Sequence, residues 1–158
     1  MALLPALQRL LDDGKIGYTH HVHPLAFTAR EVAAAEHIPP REMAKTIVFF
    51  GDNGYGMAVL PADFLVDLSE LRAALDLTRV RLATEKELAD LFPDCELGAM
   101  PPLGGLFGMP VYVDSALGHI DSIAFNGGTH RDVVILSYAD FVKMVKPKTV
   151  HFARYVSV

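Results

Sequence analysis

Lys45-Thr-Ile-Val-Phe-Phe-Gly-Asp-Asn-Gly-Tyr-Gly-Met-Ala-Val-Leu60 is the stretch that decides the fold. Its two halves are rich in β-branched and aromatic residues, as strands are. Between them, Gly51-Asp-Asn-Gly54 is a turn signal, and Asn53-Gly54 is a strong turn pair. The stretch predicts a hairpin with strands near 45–50 and 55–60. Outward from it, helix starts are legible. Thr28-x-x-Glu31, Thr84-x-x-Glu87 and Ser137-x-x-Asp140 match the capping box or its acidic variant, and Asp67 and Ser69 offer caps before Leu71. Helices are expected near 2–12, 28–37, 68–75, 84–91 and 137–145. Further strands are expected near 17–22, 79–82, 110–114, 120–125, 132–136 and 150–156, the later half reading as a meander. Hairpins and helices mix without strict βαβ alternation. The expected class is therefore α+β, with a mixed sheet and helices packed around it.

At 158 residues, 51% hydrophobic and 21% charged, the chain reads as one globular domain over 1–158 with a sizeable core. No apolar run reaches the roughly 18–20 residues that cross a bilayer. Met1 to Leu11 reads as an amphipathic helix, since it carries Gln8 and Arg9 and lacks a basic leader. Single Cys95 excludes an internal disulfide and fits a reducing compartment, so a cytoplasmic location is expected. A net charge of −5 argues against a broad grip on duplex nucleic acid. The charge is uneven, however. Lys143, Lys146, Lys148 and Arg154 form an acid-free basic tail, able to touch a few phosphates or simply be solvated.

Several residues could carry chemistry. Gly98-Ala-Met-Pro-Pro-Leu-Gly-Gly105, read on to Pro110, holds four Gly and three Pro in 13 residues. Such a loop can be a rigid connection, or an array of main-chain N–H groups for a carbonyl, carboxylate or phosphate oxygen. Lys45 shares a strand face with Ile47 and Phe49, which leaves it either recognising charge or reaching water from the strand end. Phe125-Asn-Gly-Gly-Thr-His130 is a polar turn, either a plain hairpin or one whose Asn126 and His130 offer hydrogen-bond donors and acceptors. His20, His21 and His23 invite a metal reading, with His21 and His23 on one strand face and His37 or an acid as a third ligand. No HExxH or paired-Cys pattern supports it. Cys95 sits between Asp94 and Glu96, which would suppress its thiolate. Ser115, His119 and Asp121 could form a triad but lack a nucleophile-elbow sequence. No GxGxxG or P-loop pattern points to a nucleotide cofactor.

Four pieces in order resemble the YbaK / prolyl-tRNA-synthetase-associated domain family: His23-Pro-x-x-Phe27-Thr28, Ala44-Lys45-Thr46, Gly98-x-x-Pro101-Pro102 and Phe125-Asn126-x-Gly128. The resemblance runs from about residue 15 to 148. It implies a compact α+β domain around a mixed, partly closed sheet. It also implies a cofactor-free and metal-free aminoacyl-tRNA deacylase that hydrolyses the ester of mischarged tRNA. By resemblance Lys45 and Gly98 are the catalytic positions. Phe27, Thr46, Ala99, Met100, Pro101 and Pro102 would bind substrate, with Asn126, Gly128 and His130 on the opposite wall. Thr46 stands where some members have Asn, and the acidic net charge departs from a tRNA enzyme.

The mechanism implied has Lys45 holding a substrate oxygen while the Gly98 and Ala99 N–H groups stabilise an oxyanion. Water or a substrate hydroxyl attacks. A pocket of Met100, Phe27 and Leu103 would admit alanine, serine or cysteine. The partners implied are the acceptor end of mischarged tRNA, with tRNA(Pro) leading, and prolyl-tRNA synthetase; neither membrane nor DNA is expected. Two other classes remain open: a module that binds the acceptor end or a synthetase without turnover, and a His-metal-dependent hydrolase.

Overall fold

The computed structural model describes residues 3–23 and 28–155. In chain order the elements are α1 (Pro5–Asp13), β1 (Tyr18–Val22), α2 (Ala29–Ala35), β2 (Ala44–Gly51), β3 (Gly54–Pro61), β4 (Phe64–Val66) and α3 (Leu68–Ala74). There follow β5 (Val80–Leu82), α4 (Glu85–Leu91), β6 (Val111–Asp114), β7 (Ser122–Asn126), β8 (Asp132–Ser137), α5 (Tyr138–Val145), β9 (Lys148–Val150) and β10 (Ala153–Tyr155). The class is α+β with a mixed sheet, as the sequence predicts. Five strands run in the order β5-β2-β3-β6-β9, three in the order β1-β8-β7, and β10 pairs with β4.

Local chemistry accounts for the helices. Thr28 and Thr84 each accept the N–H of the residue three along, Glu31 and Glu87, whose carboxylates return to the cap N–H. Asp67 and Ser137 cap α3 and α5 by accepting from Glu70 and Asp140. The central hairpin pairs Lys45 with Leu60 and closes Gly51 against Gly54. Its two-residue turn is thus Asp52-Asn53, one position earlier than the Asn53-Gly54 pair suggests, and the positive φ falls on Gly54 (115°).

The hairpin is apolar throughout because both faces of the sheet are covered. Val48, Met57 and Val59 face a core with Leu7 and Leu11 of α1, Phe125 and Phe141. Phe49, Ala58 and Leu60 face the other way, against Leu71 of α3 and Phe152. The β7–β8 hairpin is held to β1 by Asp132, which is fully buried. Its carboxylate accepts from His20 Nε2 at 2.6 Å and from Thr129 Oγ1 at 2.5 Å.

Two expectations are corrected. The later half is not a meander: β6 lies parallel to β3, and β9 parallel to β6, so only β7 and β8 form a hairpin there. The strand expected over 150–156 is two short strands broken at His151-Phe152. The buried Asp114 carboxylate takes the N–H groups of Phe152 and Ala153, both at 2.8 Å, and turns the chain out of the ladder. Strand β4 is one more than the sequence predicts, and its partner β10 lies far along the chain.

Gly104 marks where the Gly/Pro loop returns to the sheet. A Cβ there would lie 2.2 Å from the Met109 carbonyl oxygen and 2.7 Å from Val111 Cγ2, whereas one on Gly105 would meet nothing within 4 Å. Gly104→Ala is expected to cost about 1–3 kcal/mol, lowering Tm by roughly 3–10 °C. Gly105→Ala should change Tm far less; calorimetry on the pair checks this, and equal shifts would contradict the packing argument.

Candidate functional site

The site begins with a vacancy along one edge of β2. On its other edge β2 pairs with β3 over its whole length, from Ala44 to Gly51. On this edge β5 covers only Phe49–Gly51, and Ala83 N–H adds one bond to the Val48 carbonyl at 2.9 Å. The chain then leaves for α4. At the far end of the same edge β7 arrives, with Met43 bridging Ala124 and Ala124 N–H donating to the Glu42 carbonyl at 2.9 Å. Between these two neighbours, among the described residues, no strand pairs with Lys45–Ile47 on this edge. By the alternation of an antiparallel ladder, the main-chain groups of Ala44 and Thr46 point to that side.

A cavity of about 580 Å³ lies at this gap, within the ~300–1,000 Å³ typical of small-molecule sites. Lys45 and Thr46 line it from β2, and Gly98 and Met100 from the Gly/Pro loop. Ile47, Leu82 and Leu88 make much of it apolar. Arg30 of α2 and Asp63, just past β3, add one charge of each sign. Lys45 is half-buried, and its pKa lies below the usual lysine value: loss of hydration is the main cause, repulsion from Arg30 adds to it, and Asp63 opposes it.

The Gly98 loop is held from behind. Glu96 N–H donates to the Gly128 carbonyl at 2.8 Å, and Gly128 N–H to the Ala99 carbonyl at 3.0 Å. His130 donates its backbone N–H to the Glu96 carboxylate at 2.6 Å, and from Nε2 to the Leu97 carbonyl at 2.5 Å. Gly98 itself has φ +83°, a conformation that a side chain would strain.

The residues singled out in the sequence thus divide. Lys45, Thr46, Gly98 and Met100 line the cavity. Ala99, Pro101, Pro102, Asn126, Gly128 and His130 are buried and do not line it. Ala99 N–H donates to the Glu96 carbonyl at 3.0 Å, and the His130 turn braces the loop from the side away from the cavity. Leu103 is core, only 2% exposed, and Phe27 falls outside the described residues. Ser115, His119 and Asp121 do not line the cavity, nor does Cys95, whose thiol is pushed up to about 11 by burial and, less, by Asp94. His20 and His21 turn to Asp132 and Glu36, and among the described residues no group of three His, Cys, Asp or Glu could hold a metal ion. Arg30 and Asp63 were not anticipated. Asp63 sits three residues past Leu60, the cross-strand partner of Lys45, a spacing that could have flagged it.

The model of the aminoacyl-tRNA editing domain matches residues 23–144, a span that includes every cavity residue named above. The chain belongs to the aminoacyl-tRNA editing domain family. Among relatives of this editing-domain chain, the Multifunctional Ser/Thr-tRNA deacylase ProXp-y of Escherichia coli K12 is 35% identical over 105 residues. That match takes in 66% of this chain and 62% of the deacylase, so the chain spans less than two thirds of that relative. The proline–tRNA ligase of Geobacillus kaustophilus is 29% identical over 150 residues, 83% of this chain and 26% of the ligase. A crystal structure of a candidate trans-editing enzyme for prolyl-tRNA synthetase superposes with a TM-score of 0.82 at 22% identity, covering 97% of this chain and 99% of that one, and so shares the fold. Among the described residues no helix is long and apolar enough to cross a membrane.

The electrostatics of Lys45 can be read directly. Its ammonium should titrate below the usual lysine range, and Arg30→Gln should move the midpoint up while Asp63→Asn moves it further down. Because the folded value is the lower one, the folded protein binds fewer protons between that value and 10.5, so this residue favours folding more as pH rises through that window. NMR of the lysine side-chain carbons checks both signs; a midpoint at the ordinary value would show a hydrated Lys45.

Proposed function

We propose that this chain is a trans-editing aminoacyl-tRNA deacylase that hydrolyses the ester of tRNA mischarged with a small amino acid. The observation that carries the reading is the meeting of Lys45 and Gly98 in one cavity whose lining, among the described residues, includes no Ser, Cys or His. Thr28 and Thr46 line it without a histidine beside them in the described lining, so no Ser–His or Cys–His type of nucleophile is assembled there. The cavity can instead bind an ester and stabilise charge as that charge develops.

The terminal adenosine enters from the open side of the gap, with its acyl group against Met100 and Leu88. The oxygen of water, or of the neighbouring ribose hydroxyl, attacks the ester carbonyl. Negative charge gathers on the carbonyl oxygen. Lys45 and the Gly98 N–H face it, in a half-buried setting where a fixed donor is worth about 3 kcal/mol. The carbon–oxygen bond to the ribose then breaks, and the ribose oxygen takes up the proton. Attack by water releases the free amino acid directly; attack by the neighbouring hydroxyl first moves the acyl group, which water then removes.

The need for such a site follows from a limit on binding. One methylene is worth only about 1–3 kcal/mol, too little for a synthetase to reject a smaller analogue, so a second size-selective pocket corrects the error. Alanine, serine and cysteine fit this logic, and the relative named for serine and threonine adds threonine. The partners we assign are the acceptor end of mischarged tRNA, tRNA(Pro) first, and prolyl-tRNA synthetase, in the cytoplasm. With a net charge of −5, the grip is expected to be local, on few phosphates.

The test is deacylation of tRNAs charged with alanine, serine, threonine, cysteine or proline. One or more small amino acids should be released, proline should be retained, and Lys45→Ala should lower the rate by roughly 10²–10³ while leaving the fold intact. Full activity in folded Lys45→Ala would overturn the role given to this residue. No turnover on any tRNA would favour a non-catalytic acceptor-end module. Met100→Ala should relax discrimination against proline, and unchanged selectivity would remove Met100 from the pocket wall.

A further inference from the structure

We infer that Asp63 reads the free α-ammonium of the acyl group, so that the cavity takes aminoacyl esters with an unblocked amine and turns away their N-acylated forms. The inference rests on the deacylase reading above and assigns that site a chemical filter.

Three observations carry it. First, Asp63 lines the same cavity as Lys45 and Gly98. Its backbone is placed firmly, because the preceding Ala62 N–H donates to the Met43 carbonyl at 2.8 Å and continues the β2–β3 ladder by one step. Second, one oxygen of the Asp63 carboxylate, Oδ1, is buried without a hydrogen-bond partner. Buried carboxylate oxygens are almost always satisfied, and an orphan beside a cavity calls for a donor from whatever fills it. Third, Lys45 does not meet that need. The Asp63 charge acts on Lys45 through space, yet Oδ1 remains without a donor.

The substrate has the complementary pattern. An aminoacyl ester carries its amine on the carbon next to the carbonyl, and an α-amine beside a carbonyl holds its proton to about pH 7.7–8 in a peptide. The group is therefore a cation on the carbon adjacent to the carbonyl whose oxygen takes up negative charge. A cavity with a lysine for the oxyanion and an aspartate for the ammonium matches both ends of that pair. N-acylation replaces three charged donors by one neutral N–H and adds bulk at the same point. The Asp63 oxygen would then stay buried and unpaired, and a site built around a polar partner discriminates most strongly against a ligand that lacks it. The apolar wall that sorts side chains by size would thus work beside a charged wall that sorts by the state of the amine.

The probes are 3′-(L-alanylamino)-3′-deoxyadenosine, an amide that mimics the acylated terminus, and its N-acetyl derivative. Binding of each to the full chain is measured by calorimetry for wild type and Asp63→Asn, and deacylation of alanyl-tRNA and N-acetyl-alanyl-tRNA is followed in parallel. Wild type should bind the free amine roughly 10–100-fold more tightly than the acetylated form. Asp63→Asn should bring that ratio close to one by weakening only the free-amine probe. Should Asp63→Asn fold poorly, Asp63→Ser is measured in the same way. Equal binding of the two probes by wild type would overturn the inference. So would a uniform loss on both probes in the variant, which is the mark of an aspartate acting only through Lys45. Binding of the amides needs no hydrolysis. A retained preference without turnover on either tRNA would therefore uphold the amine filter and defeat the deacylase reading alone.

Discussion

The structure depends on an edge that is incompletely paired. A strand inside a sheet normally has both rows of main-chain groups satisfied by neighbours. Here β2 changes neighbour along one side, from β5 at Phe49–Gly51 to a single bridge with β7 at Met43. The short reach of β5 has a local cause. Thr84 caps α4 immediately after the strand, and Glu87, the partner in that cap, also grips Arg81 of β5 through two hydrogen bonds of 2.8 and 3.0 Å. The strand cannot extend without breaking the cap. The gap this leaves is where the cavity forms, and Lys45 stands at it because the β2–β3 register puts it there.

The charges at the site are a consequence of that position. Lys45 sits at the end of an apolar strand and loses hydration, while Arg30 pushes its proton affinity down further. A cation held in such surroundings is poorly screened and acts strongly on any charge brought near it. A chain with net charge −5 gains little from long-range attraction to a polyanion. Its positive groups matter mainly at contact.

Much of this was legible in the sequence, for identifiable reasons. The hairpin, the four caps and the α+β class rest on local signals that act within a few residues. Lys45 and Gly98 stand out because a charge in an apolar run and a Gly/Pro cluster are both unusual. What stayed hidden depends on contacts far apart in the chain. The break before β10 is set by Asp114, 38 residues from Phe152. The parallel pairing of β6 with β3 has no local signature. Asp63 carries no pattern at all and gains meaning only through the register that sets Leu60 against Lys45. His130 is the instructive middle case. Its turn is plain in the sequence, yet the ring bonds to the Leu97 carbonyl behind the loop, a contact that only the folded chain defines.

That contact bears on how a loop can do the work of a rigid site. Loops move more than strands, and a misplacement of about 1 Å can cost 10²-fold in rate. The Gly98 segment avoids this by being tied across 30 residues of sequence to the β7–β8 turn, through the Glu96, Leu97, Ala99, Gly128 and His130 bonds. Asp132 fastens the same turn to β1, and Leu4 N–H fastens it to the start of α1 by donating to the Gly127 carbonyl at 2.9 Å. Pro101 and Pro102 stiffen the far side, and Gly104 seats it against β6. The loop is therefore fixed at two places, by the β7–β8 turn and by β6, which do not line the cavity. A cavity whose described lining brings Lys45, Arg30 and Asp63 together with Thr28 and Thr46 gains from that fixity, because a charge or dipole acts on a ligand only from where it is already held.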